Sequence, residues 1–210
     1  MNLILRLIRV LFVALRRPPL DLFGESVVRF RVWPGDLDFN LHMNNGRYLT
    51  LMDLGRLDLM ARHGTLKQAH KNRWQPVVAA QTILYRRALK PFQRYSLHSR
   101  LVCWDDKFIY LEQRFQTGDK LAASAIVKAA VRRGGRTLRP RELLKTIGQD
   151  RRSPPMPPAI KAWALAEEWS REPRGPAAPL LGRPAPQAAV EGMDPEGSPR
   201  RDGEDLRQAG

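Results

Sequence analysis

Between residues 45 and 62 apolar side chains return on almost every side of a helical projection. Tyr48, Leu49, Leu51, Met52, Leu54, Leu57, Leu59 and Met60 leave only a narrow polar line through Thr50, Asp53 and Arg56. A helix apolar over most of its circumference is a buried helix. Its ends agree: Asn44 or Asn45 offers a side-chain oxygen to the unpaired amides of the first turn, and Gly64, after Arg62 and His63, suits the left-handed closing position. Downstream the period shortens to that of strands. VVAAQTILYRRAL, RYSLHSRLVCW, FIYLEQRFQ and LAASAIVKAAVR predict four strands joined by the turns KPFQ, DDK and TGDK. In the second, Tyr95, Leu97, Leu101 and Cys103 share one face while Arg94, Ser96, His98 and Arg100 share the other. In the third, Ile109, Leu111 and Phe115 oppose Glu112 and Arg114. Upstream, SVVRFRVW alternates apolar and basic positions and ends at Pro34-Gly35, as a strand meeting a turn. One strand, one buried helix and an antiparallel run make an α+β domain in which a curled sheet wraps the helix.

The flanks read differently. Residues 1–17 are apolar except at Asn2, Arg6, Arg9, Arg16 and Arg17, and Arg6, Arg9 and Arg16 fall near one face of an amphipathic helix. The apolar run is broken by Arg6 and Arg9 and falls short of the ~20 residues that span a bilayer. It runs into Arg16-Arg17-Pro18-Pro19 where a signal peptide has a small-residue cleavage site. Two readings stand side by side: a helix lying in the plane of an anionic membrane, or one docked on the domain or a neighbouring subunit. After Gly148, Pro154, Pro155, Pro157 and Pro158 mark a linker, and AIKAWALAEEW is a short amphipathic helix carrying Trp163 and Trp169. From Pro173 onward the chain holds too few apolar residues to pack and is expected to be flexible. The expected boundaries are 1–24 for the helix and its linker, 25–148 for the domain, 149–172 for the second linker and short helix, and 173–210 for the tail.

Charge narrows the partners. The 210 residues carry a formal net charge of +15, mostly as arginine, and the tail's five arginines and six acidic residues nearly cancel, so the excess lies in the domain. Nucleic acid, an anionic membrane or a phosphate-bearing molecule such as coenzyme A would answer it. Cys103 is the only cysteine, which excludes an intramolecular disulfide. The four histidines, His42, His63, His70 and His98, have no metal-ligand spacing, no cysteine motif accompanies them, and no metal is expected. No serine sits in a G-x-S-x-G context.

The remaining chemistry lies in GDLDFNLHMNN, which gathers Asp36, Asp38, His42, Asn44 and Asn45 just before the buried helix. Unpaired amides and the positive end of the helix dipole stabilise a developing oxyanion there, and a nearby carboxylate is placed to attack or to activate water. The same residue types also make Asx turns and helix caps, their commoner role.

Asp38, His42, Asn44, Asn45 and Tyr48 resemble the pattern D-x-x-x-H-x-N-N-x-x-Y of the 4-hydroxybenzoyl-CoA thioesterase-like family. With RYSLHSRLVCWDDKFIYLEQRF, the segment is similar to the thioesterase superfamily member 6-like branch, over roughly residues 25–148. The resemblance implies a hot-dog fold, a curled antiparallel sheet around a long helix. It implies hydrolysis of a fatty or aromatic acyl-CoA to free acid and coenzyme A, with no dissociable cofactor. Asp38 would act as general base or nucleophile, backbone amides from His42 to Asn45 would polarise the thioester carbonyl, and His42, Asn44 and Tyr48 would shape the site. Asp36 matches nothing in the pattern and is expected to be a turn residue. Leu41 stands where many relatives have glycine. Asp53 is a second candidate carboxylate, at a helical position where related enzymes often carry glutamate, although an i,i+3 pair with Arg56 accounts for it more simply. Arg86, Arg87 and Lys90, together with Arg94, flank the KPF turn and are candidates to grip the coenzyme A phosphates. A homodimer or dimer of dimers is implied; the expected location is the cytoplasm, with residues 1–17 as the candidate contact to an anionic membrane surface. Two other classes compete: a catalytically silent acyl-CoA or lipid binder, and a basic nucleic-acid-binding protein that no reading motif supports.

Overall fold

The computed structural model describes residues 3–171; the expected flexible tail at 173–210 and the side chain of Trp169 lie outside the described residues. In chain order come α1 (Leu3–Arg16), β1 (Ser26–Arg31), a single 3-10 turn (Pro34–Asp36), α2 (Asn45–Arg62) and α3 (Thr65–Lys71). There follow β2 (Gln75–Tyr85), β3 (Arg94–Trp104), β4 (Ile109–Thr117), β5 (Lys120–Arg133), β6 (Arg136–Leu138), α4 (Pro140–Thr146) and α5 (Pro158–Arg171). The sheet is antiparallel in the order β1-β3-β4-β5-β2, with β6 on β5. It curls around α2, the expected α+β arrangement. The chain divides into two units, Met1–Lys161, which holds this fold, and Ala162–Gly210.

α2 has the predicted bounds because its signals are local. Asn44 is the N-cap, its Oδ1 accepting from the Gly46 N–H at 2.8 Å, and Gly64 takes a φ of 74° just past the helix end. Leu51, Met52 and Leu54 bury against Val28, Phe30 and Val32 from the β1 side and Leu97, Phe115 and Val127 from the sheet. Gly55 lets the sheet come close: a Cβ there would lie 2.7 Å from both Leu97 Cδ2 and Ser99 Oγ. The polar line of α2 turns partly inward. Arg56 is buried and donates to the fully buried Gln113 at 2.8 Å, while Gln113 donates to Ser99 Oγ at 2.9 Å and to the Met52 carbonyl at 3.0 Å. A buried amide with such partners is satisfied on both its donor and acceptor sides. Cys103 is buried, and burial pushes its thiol up to about 11.

The alternation predicted for β3 holds, with Tyr95, Leu97, Leu101 and Cys103 buried. On its outward face Ser96 Oγ lies 2.9 Å from His98 Nε2, and His98 Nδ1 lies 2.8 Å from Glu25, which also pairs with Arg114. This cluster fastens the start of β1 to β3 and β4. β2 ends at Tyr85, short of the predicted strand, and is exposed along both faces, with its register shifting between Val78 and Ala80. Three short elements, α3, β6 and α4, have no counterpart among the predicted ones.

α1 docks on α2, and it does so with a face that periodicity mislabelled. Arg6, grouped with the polar side, is buried beside Val10 and Ala14 and pairs with Asp36. Arg17 Nη1 and Arg9 Nη2 donate to the outward carbonyls of β1, at Val27 (2.8 Å) and Arg29 (3.4 Å). The linker is tied to the end of α2 through Leu20 N to the Arg62 carbonyl (3.0 Å) and Arg62 Nε to the Pro18 carbonyl (3.2 Å). Among the described residues no helix is long and apolar enough to cross a membrane.

Candidate active site

The segment between the 3-10 turn and α2 forms a small hairpin. Leu37 and Met43 bridge antiparallel, and the Asp38 N–H donates to the His42 carbonyl at 2.8 Å. Asp38 is half-buried at its base. Its Oδ1 accepts from the Asn40 N–H (2.9 Å) and the His42 N–H (3.1 Å), the Asx-turn geometry these residues favour. Its Oδ2 has no hydrogen-bond partner among the described residues. One carboxylate oxygen is thus anchored and the other is available, so the turn geometry and a chemical role coexist.

The tip of the hairpin is apolar and exposed, Phe39 at 93% and Leu41 at 65%. Leu41 adopts a φ of 56°, in the left-handed region where a side chain is disfavoured. Leu41 carries strain there that a glycine would not.

The amides expected to polarise a carbonyl are mostly occupied. The His42 N–H is held by Asp38, the Met43 N–H by the Leu89 carbonyl at 2.9 Å and the Asn44 N–H by the Asp36 carbonyl at 2.8 Å; the Gly46 N–H goes to the Asn44 side chain. Of these, only the Asn45 N–H, at the first position of α2, is without a partner among the described residues. Asn44 is the cap, and the Asn45 carbonyl accepts from Tyr85 Oη at 3.3 Å.

His42 is half-buried with an unpartnered imidazole among the described residues. Tyr48 lies below the loop, buried between Tyr85 and Phe115, with ring centroids at 5.1 and 4.9 Å. Burial pushes its hydroxyl up to about 12, so it stays protonated. Asp53 lies five residues beyond Tyr48 along α2, 64% exposed and paired with Arg56. Arg86, Arg87 and Lys90 are exposed on the segment between β2 and β3 that runs beside the hairpin, joined to it through Leu89 at Met43. Arg94 is on β3, further along.

Sequence reasoning missed Asp36 and Arg6. Asp36 ends the 3-10 turn, as expected of a turn residue, but its side chain is buried: it is 2% exposed, pairs with Arg6 and with Arg47 Nε (3.2 Å), and accepts from the Trp33 N–H at 2.9 Å. Since its carbonyl also holds the Asn44 N–H, Asp36 pins both ends of the hairpin and joins it to α1. An arginine on an otherwise apolar helical face was the available signal. Among the described residues no cluster of His, Cys, Asp and Glu could hold a metal ion.

A family model described as the thioesterase-like superfamily matches residues 32–164. Protein THEM6 of Xenopus laevis is 43% identical over 95 residues, covering 45% of this chain and 46% of its own length. A probable thioesterase of Saccharomyces cerevisiae is 30% identical over 118 residues, covering 55% and 51%. The chain thus spans about half the length of these curated relatives. Among solved structures, the probable thioesterase YbaW of Escherichia coli superposes with a TM-score of 0.52 at 22% identity, over 58% of this chain and 97% of that one, a likeness of fold.

Proposed function

The chain belongs to the thioesterase-like superfamily, and from that membership we propose that it hydrolyses an acyl-coenzyme A thioester at the hairpin preceding α2. The observation that carries this reading is a half-free carboxylate, Asp38 Oδ2, in the loop that leads into the positive end of a buried helix, whose first amide, Asn45 N–H, is unoccupied among the described residues. Asp38 Oδ2 takes a proton from water as the water oxygen attacks the thioester carbonyl carbon. The charge that gathers on the carbonyl oxygen is met by the Asn45 N–H. The carbon–sulfur bond then breaks, its electrons stay on sulfur, and the proton held by Asp38 passes to the thiolate. Direct attack by Asp38 uses the same free oxygen; label found in Asp38 after a single turnover in isotopically labelled water identifies that route, because water then opens the acyl-aspartyl anhydride at the Asp38 carbonyl. Exposed Arg86, Arg87 and Lys90 reach for the coenzyme phosphates.

A homodimer completes the reading. β2 ends the sheet unpaired, with Val77, Val78, Leu84 and Tyr85 exposed, and Phe39 and Leu41 add apolar surface at the hairpin tip. An open strand edge is a template for a second β2, and pairing there would close the site between two copies.

A screen of acyl-CoAs of varied chain length with a thiol-detecting reagent tests the proposal. Asp38→Asn is expected to lower turnover by about 10²- to 10⁴-fold with the fold intact. Equal activity in both chains removes Asp38 from its role, and binding without cleavage makes the chain a silent acyl-CoA binder.

A further inference from the structure

α1 is apolar on two sides. Inward it buries Val10 and Ala14, with Leu3, Leu7 and Val13 half-covered. Outward it carries Leu5, Ile8, Phe12 and Leu15, between 56% and 75% exposed. Spaced by three and four residues, these four form one line along the helix. α1 contains no acidic residue. Arg9 and Arg16 are exposed along one flank of the line, the Arg16 guanidinium 3.3 Å over the Phe12 ring. Arg9 also opens onto a groove of about 680 Å³, lined by Arg29, Arg31 and Arg94 as well and by no acidic residue.

An apolar line edged by cations needs an occupant with both characters. A second copy of the chain meets the line but brings the same arginines against themselves, and like charges facing each other weaken such a contact. A bilayer bearing anionic headgroups meets both, with acyl chains for the line and phosphates for the flank. With 14 residues, α1 is ~21 Å long and fits along a surface rather than across it.

We propose that the outer side of α1 docks in the plane of an anionic lipid bilayer, with Leu5, Ile8, Phe12 and Leu15 at the acyl boundary and Arg9, Arg16 and the groove arginines on lipid phosphates. The proposal does not depend on thioester hydrolysis. The surface would lie on the side of the fold that Arg6 ties to the Asp38 hairpin through Asp36.

Flotation of the full chain with vesicles tests it without an activity readout. Binding is expected to phosphatidylcholine mixed with phosphatidylglycerol, at least about tenfold tighter than to phosphatidylcholine alone, and to fall with salt. Ile8→Asn with Phe12→Asn, both at exposed positions, is expected to weaken binding about tenfold or more with an unchanged circular dichroism spectrum. Arg29→Glu with Arg94→Glu is a second variant, expected to remove the preference for anionic vesicles. Absence of binding to anionic vesicles, or binding indifferent to both variants, overturns the proposal. So does a sedimentation result in which the Ile8 and Phe12 changes split an oligomer, since a second copy then covers the line.

Discussion

The two edges of the sheet are finished in opposite ways. Along β1, the chain supplies its own cover: α1 lies beside the strand, Arg9 and Arg17 take two outward carbonyls, and Arg6 continues inward to Asp36. Along β2, nothing in the described chain pairs with the edge, and Val77, Val78, Leu84 and Tyr85 stand exposed. An unpaired edge is a template for another strand unless it is covered or charged. One edge is therefore completed within the molecule, by cations on carbonyls, while the other is left as an exposed apolar strand. The hairpin with Asp38 touches both systems, through Asp36 to α1 and through Asn45 to Tyr85.

The covered edge is broken most severely at its buried ion pair. Asp36→Ala leaves Arg6 charged and unpaired in the interior, and is expected to cost about 3–5 kcal/mol in urea unfolding. A loss under about 1 kcal/mol, the range of an exposed pair, would show that α1 contributes little to the fold. On the open edge, Val78→Lys sets like charges near one another across a self-paired strand. Sedimentation equilibrium should then show the proposed dimer weakened by roughly a hundredfold, against a change of about 0.5 kcal/mol or less in the stability of the single chain. At the hairpin between the two, Leu41→Gly relieves the left-handed strain while loosening the unfolded chain, for a net gain of about 0.5 kcal/mol by thermal unfolding. If Leu41 obstructs the thioester, the same variant raises turnover.

The smallest effect is expected from pH at the join between linker and α2. Burial of His63 lowers its pKa from the ordinary 6.5, against an opposing bond to the backbone of Asp21. The unfolded chain therefore binds this proton at higher pH than the folded one. The contribution is fully present above pH 6.5 and is lost as pH falls toward the lowered folded value. His63→Gln should remove that part of the slope in a pH series of melting curves.

Much of the fold was legible because its determinants are short-range. The bounds of α2 follow from Asn44, Gly64 and an apolar circumference, and the Asp53–Arg56 pair follows from spacing on one helix. The role of Asp36 was not legible, since Arg6 is 30 residues away and nothing local marks the two as partners. Gln113 was equally hidden: its parity puts it on the apolar face of β4, and only Arg56, Ser99 and Met52 brought there by folding satisfy it. α4 had a signal in Pro140 followed by Leu143 and Leu144, but seven residues carry too little periodicity to stand out.

The sequence by itself determined where α2 and the long strands lie and that Asp38 precedes a helix N-terminus, because period, capping and turn chemistry act over a few residues. Tertiary structure decided which face of α1 turns inward, which amide of the loop is left free and which sheet edge is open. Each of those depends on a partner distant in the chain: Asp36 for Arg6, Leu89 for the Met43 amide, and α1 for the edge of β1. A buried charge or amide is stable only where its partner arrives, and the arrival is a property of the folded chain.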